Sequence, residues 1–125
     1  MQKRSLIKAM AAAPFTLGLG HTGAQTTPFK IGFLAPMTGP FASTGRQMDA
    51  AVKLYMKQHG SSVAGRPVSL ILKDDTGVPD ITKRLAQELL ANDKVDVLAG
   101  LGLTPLALAT APLATQAKTP MVNML

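Results

Sequence analysis

Short apolar runs alternate with longer stretches of helical spacing along most of this chain. Residues 30–35 form a compact run of strand formers, and a turn-rich stretch, residues 36–45, follows it. Met48, Ala51, Val52, Tyr55 and Met56 then recur at helical spacing, with Arg46, Lys53 and Lys57 at other positions and Gly60 at the end. Residues 67–74 return to alternation. Val68, Leu70 and Leu72 share one face, and Ile71 makes the other face partly apolar, as a strand covered on both sides requires. Asp74-Asp75-Thr76-Gly77 closes that strand with turn and cap chemistry. Pro79 opens a second helix carrying Ile81, Leu85, Leu89 and Leu90 on one side. Residues 95–99 read as a third strand, residues 106–118 as a third helix, and residues 120–125 as a fourth strand. Pro112 removes a backbone donor inside the third helix and predicts a kink there.

The order β-α-β-α-β-α-β with short connections predicts an α/β fold, a parallel sheet with helices on both faces. In the flavodoxin-like arrangement the four strands run 2-1-3-4. The order reverses between strands one and three, and a crevice opens at their carboxyl ends. The two most unusual loops, residues 36–45 and residues 99–104, follow those two strands and meet at the switch point.

Residues 99–105 read Ala-Gly-Leu-Gly-Leu-Thr-Pro, a strand–glycine turn–helix junction. Thr104 is expected at the N-cap and Pro105 at the first helical position. Free N–H groups of Leu106 and Ala107 and the positive end of the helix dipole would then face the crevice and suit an anion. Gly102 and Leu103 form the turn itself, and the Ser43 and Thr44 hydroxyls face it from the first loop. Two readings of Thr104 stand side by side: a cap serving its own helix, or a ligand contact.

Competing chemistries fit less well. Gly100-Leu101-Gly102-Leu103-Thr104-Pro105 begins like a dinucleotide fingerprint, but Pro105 replaces its third glycine and the motif follows strand three instead of strand one. A phosphate-binding loop needs Gly-Lys-Ser/Thr, which is absent. A receiver-type phosphoacceptor needs acids at strand one, which here ends in Ala35-Pro36. No Gly-x-Ser-x-Gly is present, and His21 and His59 stand far apart, so neither nucleophilic catalysis nor a zinc site is expected. With no cysteine, disulfides and thiolate ligands are excluded. The reading is binding without catalysis, and it calls for no cofactor and no metal.

Length allows one domain. The net charge of +6 from 13 basic and 7 acidic residues is partly a property of the first eight residues, where Lys3, Arg4 and Lys8 lie. The remaining charges are dispersed and there is no tryptophan, so nucleic acid, DNA included, is not an expected partner. Residues 9–20 are apolar and small, too short a run to span a bilayer, and Thr22-Gly23-Ala24 precedes a candidate cut after Ala24. Residues 1–24 are therefore expected to be an export signal leading to the periplasm. Lys3-Arg4 resembles a twin-arginine motif with Lys in place of the first Arg, so both the general and the twin-arginine routes stay open.

Several ordered segments together resemble the periplasmic solute-binding proteins of ATP-driven transporters, of the branched-chain amino-acid (Leu/Ile/Val) type. They are Ile31-Gly32-Phe33-Leu34-Ala35-Pro36-Met37-Thr38-Gly39-Pro40 with Gly45, Gly65-Arg66-Pro67-Val68 leading to Asp74-Asp75, Ala86-Gln87-Glu88-Leu89-Leu90, Val97-Leu98-Ala99-Gly100, Ala111-Pro112-Leu113-Ala114 and Pro120-Met121-Val122. The resemblance implies a two-lobed, hinged receptor that closes on an amino acid or similar small carboxylate and delivers it to a membrane permease. It places Thr104 at the family's hydroxyl position for the ligand carboxylate, Thr44 where relatives often carry Tyr, and Leu125 at the end of strand four lining the site. It also implies that residues 25–125 are the N-terminal part of lobe I, with the second lobe absent. The Gly-Leu-Thr-Pro form of the turn resembles a subgroup for which aromatic acids are an expected ligand. A sensory or regulatory binding domain of the same fold, or a non-functional fragment, is the alternative.

Overall fold

A computed structural model describes residues 26–124. Residues 1–25, which hold the expected export signal, and Leu125 lie outside the described residues. Five strands form one sheet: β1 (Phe29–Ala35), β2 (Ser62–Val63), β3 (Arg66–Asp74), β4 (Val97–Gly100) and β5 (Met121–Asn123), in the order β2-β3-β1-β4-β5. β1 pairs in parallel with β3 and β4, and β4 pairs in parallel with β5. The four long-range strands therefore run 2-1-3-4 as expected, with the switch point between β1 and β4.

The helices are α1 (Ala42–His59), α2 (Pro79–Glu88) and α3 (Thr104–Gln116). Alternation along β1 divides them between the faces. Phe33 and Ala35 point to one side and pack with Met48 and Val52 of α1. Leu34 points to the other and joins Leu98, Ala86 of α2, and Leu106, Ala107 and Ala114 of α3. A π-helical turn, Leu89–Asp93, extends α2, and Lys94 closes it in the left-handed region at φ 52°. Lys73 of β3 fastens this corner through Glu88 at 2.5 Å and Asp93 at 3.3 Å. Glu88's hydrogen bond is the main reason that the Lys73 ammonium sits above its ordinary pKa, against an opposing effect of burial.

Several boundaries differ from the expectation. α1 starts at Ala42, so Ser43 and Thr44 belong to its first turn instead of a loop reaching residue 45. Gly45 makes this tight start feasible: a Cβ there would lie 2.0 Å from the Pro36 carbonyl oxygen, so only glycine lets the helix rise directly off β1. The apolar stripe of α1 is narrower than its spacing suggested. Met48 is buried and Val52 and Met56 are partly covered, whereas Ala51 and Tyr55 are exposed, because no second helix among the described residues packs beside α1. Tyr55 stacks on His59 instead, with ring centroids 4.1 Å apart. The hairpin partner β2 was not anticipated. It pairs antiparallel with β3 across Ala64-Gly65, both at positive φ (48° and 75°), the geometry of the mirror-image turns that suit twisted strands. α3 continues through Pro112 to Gln116.

Candidate functional site

The loop after β1 and the turn after β4 meet at the carboxyl end of the sheet. Gly100 (φ 101°) and Leu101 (φ 56°) turn the chain sharply out of β4. Leu101 N–H donates to the Leu34 carbonyl at 2.9 Å, and a Cβ on Gly100 would fall 2.1 Å from that same oxygen. Leu101 is a branched side chain held at positive φ, a strain on the order of 1–3 kcal/mol, and its fully buried side chain holds it there. The turn is flanked on both sides. A Cβ on Gly102 would lie 3.1 Å from Met48 Sδ of α1 and 3.9 Å from the Met124 carbonyl oxygen after β5. Met124 N–H in turn donates to the Gly100 carbonyl at 2.8 Å. α1, the turn and the end of β5 thus line one place.

The start of α3 corrects the expected roles in the turn. The N-cap is Leu103, extended at φ −137° and ψ 135°, with Thr104 and Pro105 in the first turn, one residue earlier in the helix than expected. The Leu106 and Ala107 N–H groups both donate to the Leu103 carbonyl, at 3.0 and 3.3 Å. Both residues are buried, so neither offers a free donor. A helix leaves its first N–H groups unsatisfied, and the one-residue shift moves those orphans upstream. Among the described residues no hydrogen-bond partner is found for the N–H groups of Gly102, Leu103 and Thr104. Thr104 is exposed and makes no capping hydrogen bond, so its hydroxyl is also unengaged within the described residues.

Ser43 and Thr44 lie in the first turn of α1, the helix that follows β1. Their side chains are exposed, the α1 N-cap Phe41 offers no side-chain hydrogen bond, and Gly45 N–H takes the Phe41 carbonyl at 3.2 Å. Neither α1 nor α3 carries an acidic residue in its first turn, whereas α2 carries Asp80. The two helices at the switch point therefore leave their positive ends uncompensated, which favours an anion between them. Leu125, the eighth expected site residue, lies outside the described residues.

Two acids that sequence reasoning assigned only to turn chemistry shape this end of the sheet. Asp74 Oδ1 accepts from the N–H groups of Met37 (2.8 Å), Thr38 (3.3 Å) and Thr76 (2.9 Å), and Oδ2 accepts from the Thr38 hydroxyl (2.6 Å). Burial alone would raise its pKa, but these hydrogen bonds outweigh that and hold the carboxyl below its ordinary value. Asp75 is fully buried. Its Oδ1 accepts from Gly77 N–H at 2.9 Å, and its Oδ2 has no partner. Desolvation pushes its pKa up, only partly offset by Gly77 N–H, and Asp74's charge adds to the rise. The contact between Asp74 and Thr38, residues separated by 36 positions, has no local sequence signal.

A mostly apolar groove of about 500 Å3 runs beside α1, lined by Ile31, Val52, Tyr55, Met56, Val68 and, next to the turn after β4, Met124. Among the described residues no three His, Cys, Asp or Glu side chains group to hold a metal, and no helix is long and apolar enough to cross a membrane.

An open sheet, parallel except for β2, with its switch point between β1 and β4 places the chain in the doubly wound α/β class. The chain belongs to the periplasmic binding protein family, whose model matches residues 28–125. This family is one of binding proteins and not of enzymes, and membership implies an extracytoplasmic setting. A Leu/Ile/Val-binding protein homologue from Brucella abortus is 36% identical over 118 residues, 94% of this chain and 30% of its own length. The solute-binding protein of an ABC transporter from Rhodopseudomonas palustris BisB5, solved with 3,4-dihydroxybenzoic acid, is 63% identical with a TM-score of 0.77, over 78% of this chain and 27% of that one. The leucine-binding protein LivK of Thermotoga maritima is 29% identical with a TM-score of 0.72, over 75% of this chain and 27% of that one. The chain thus spans less than a third of the length of these relatives.

Proposed function

We propose that this chain is the first part of the N-terminal lobe of an extracytoplasmic receptor that captures a small carboxylate for an ABC transporter permease. On this reading residues 1–24 are an export signal to the periplasm, and residues 25–125 contribute one wall of a cleft. What supports it is the run of N–H groups at Gly102, Leu103 and Thr104 with no partner among the described residues, at the start of a helix that, like α1, has no acidic residue in its first turn. The Thr104, Ser43 and Thr44 hydroxyls complete the polar set.

An aromatic acid is the favoured ligand over a branched-chain amino acid. The 63% identity to a protein solved with 3,4-dihydroxybenzoic acid supports this choice. Calorimetric titration of the intact protein with 3,4-dihydroxybenzoate and with leucine tests this. Binding of the benzoate and not of leucine is expected; binding of leucine alone overturns the ligand class, and binding of neither overturns the receptor reading.

A further inference from the structure

We propose that Asp74 and Thr38 form a positioning clasp that sets the ligand-facing wall made by the first loop and the first turn of α1. The proposal rests on the receptor reading above, and it assigns a role to two residues that need not touch the ligand.

The chain leaves β1 at Ala35 and must reach the first turn of α1, which carries Ser43 and Thr44, within six residues. Two fixtures hold that path. Gly45 lets α1 press directly against the Pro36 carbonyl, with no room for a Cβ between them. One residue further on, Asp74 takes the Met37 and Thr38 N–H groups and the Thr38 hydroxyl, three bonds from one carboxylate to one loop. The same carboxylate holds Thr76 N–H, so the loop after β1 is tied to the loop after β3. The Asp75 N–H to Ala35 carbonyl bond, 3.2 Å, brings those strand ends together. Charge-assisted bonds of this kind are stronger and more directional than neutral ones, which suits a fixed wall. Without the clasp, residues 37–41 keep only the Ala42 N–H to Gly39 carbonyl and Gly45 N–H to Phe41 carbonyl bonds, both internal to the loop and helix start. The hydroxyls of Ser43 and Thr44 would then be held at one end only.

The test is a thermodynamic cycle on the intact protein, with 3,4-dihydroxybenzoate and leucine as probes. Asp74→Ala strips every acceptor at once and threatens folding, so Thr38→Val, Thr38→Ser and Asp74→Asn are used. Thr38→Val is expected to weaken binding by about fivefold to tenfold, the scale of one hydrogen bond, with little change in the melting temperature of the unliganded protein. Thr38→Ser keeps the hydroxyl and is expected to restore affinity to within about threefold. In the Asp74→Asn background, Thr38→Val is expected to add almost nothing, because the two act as one unit. Unchanged affinity for Thr38→Val overturns the clasp. So do equal losses for Val and Ser, or additive losses in the double variant, which would mark Thr38 as a ligand contact in its own right. Should the wild type bind neither probe, the receptor reading fails separately, and amide exchange decides the clasp. Met37 and Thr38 N–H groups protected in the wild type and exposed in Asp74→Asn and Thr38→Val support it; unprotected amides in the wild type overturn it.

Discussion

Backbone contact at single residues decides where this site can form. Gly45 and Gly100 each admit a carbonyl oxygen, of Pro36 and Leu34, into the space that a side chain would fill. Gly45→Ala is expected to cost about 3 kcal/mol of stability, the upper range for overpacking, measured by denaturant unfolding. Thr104 is expected to act on binding and not on folding, since its hydroxyl caps nothing. Thr104→Val should weaken 3,4-dihydroxybenzoate by about 1.5–3 kcal/mol, the scale of a hydrogen bond to a charged group; unchanged affinity by calorimetry removes Thr104 from the site. The two acids after β3 pull stability in opposite directions with pH. The Asp74 pKa is lowered on folding, so its contribution is present above the ordinary carboxyl range and is lost as pH falls through the lowered value. The Asp75 pKa is raised, so its contribution is full below the unfolded value, about 3.9, and is lost as pH rises through the raised one. Relative to the wild type, Asp75→Asn should therefore gain stability as pH climbs above about 4, and Asp74→Asn should lose it as pH climbs to about 4. Denaturant unfolding across that range reads both.

At the scale of elements, the legible features were those written in local periodicity. Alternation at Val68, Leu70 and Leu72 and helical spacing through Ile81, Leu85 and Leu89 marked β3 and α2, and the order of the parallel strands is that of the flavodoxin-like arrangement. Helix starts were less legible, because a start one residue early depends on what the preceding carbonyls bond. Leu103, with no side-chain cap to offer, serves as N-cap because its extended backbone aims its carbonyl at Leu106 and Ala107. That one-residue shift moved the free donors from 106–107 to 102–104, and with them the centre of the site. The β2 hairpin carried a weaker mark, Gly65 two residues after Val63, and the positive φ at Ala64 was not readable. Gly65→Val places a β-branched residue in the left-handed region and should cost roughly 1–2 kcal/mol of stability. Ligand affinity should stay unchanged, since the hairpin lies at the far end of β3 from the crevice.

For the whole molecule, the proposed receptor reading gives this segment one wall of a cleft, and the relatives run to about three times its length. A small-ligand site buries most of its ligand, roughly 70–90% of the surface, which one wall does not supply. Residues 26–124 are expected to bind 3,4-dihydroxybenzoate at least about 100-fold more weakly than a two-lobed receptor that carries this segment, a difference of roughly 2.7 kcal/mol; equal affinity by calorimetry would show that this segment suffices. The switch point was legible from topology, since β1 and β4 are neighbours in the sheet, and the candidate site is placed on the loops that follow them. The clasp between Asp74 and Thr38 was not, because two residues so far apart in the chain meet only once β1 and β3 are paired.

The central claim is that the turn after β4 receives a carboxylate, and amide chemical shifts read this directly. On titrating 3,4-dihydroxybenzoate into the isotope-labelled intact protein, the largest shifts are expected at Gly102, Leu103 and Thr104, with Ser43 and Thr44 next. The matching alcohol, 3,4-dihydroxybenzyl alcohol, should leave them nearly unmoved. Shifts centred instead on Ile31, Val52, Tyr55 and Val68, around the apolar groove beside α1, would contradict the account.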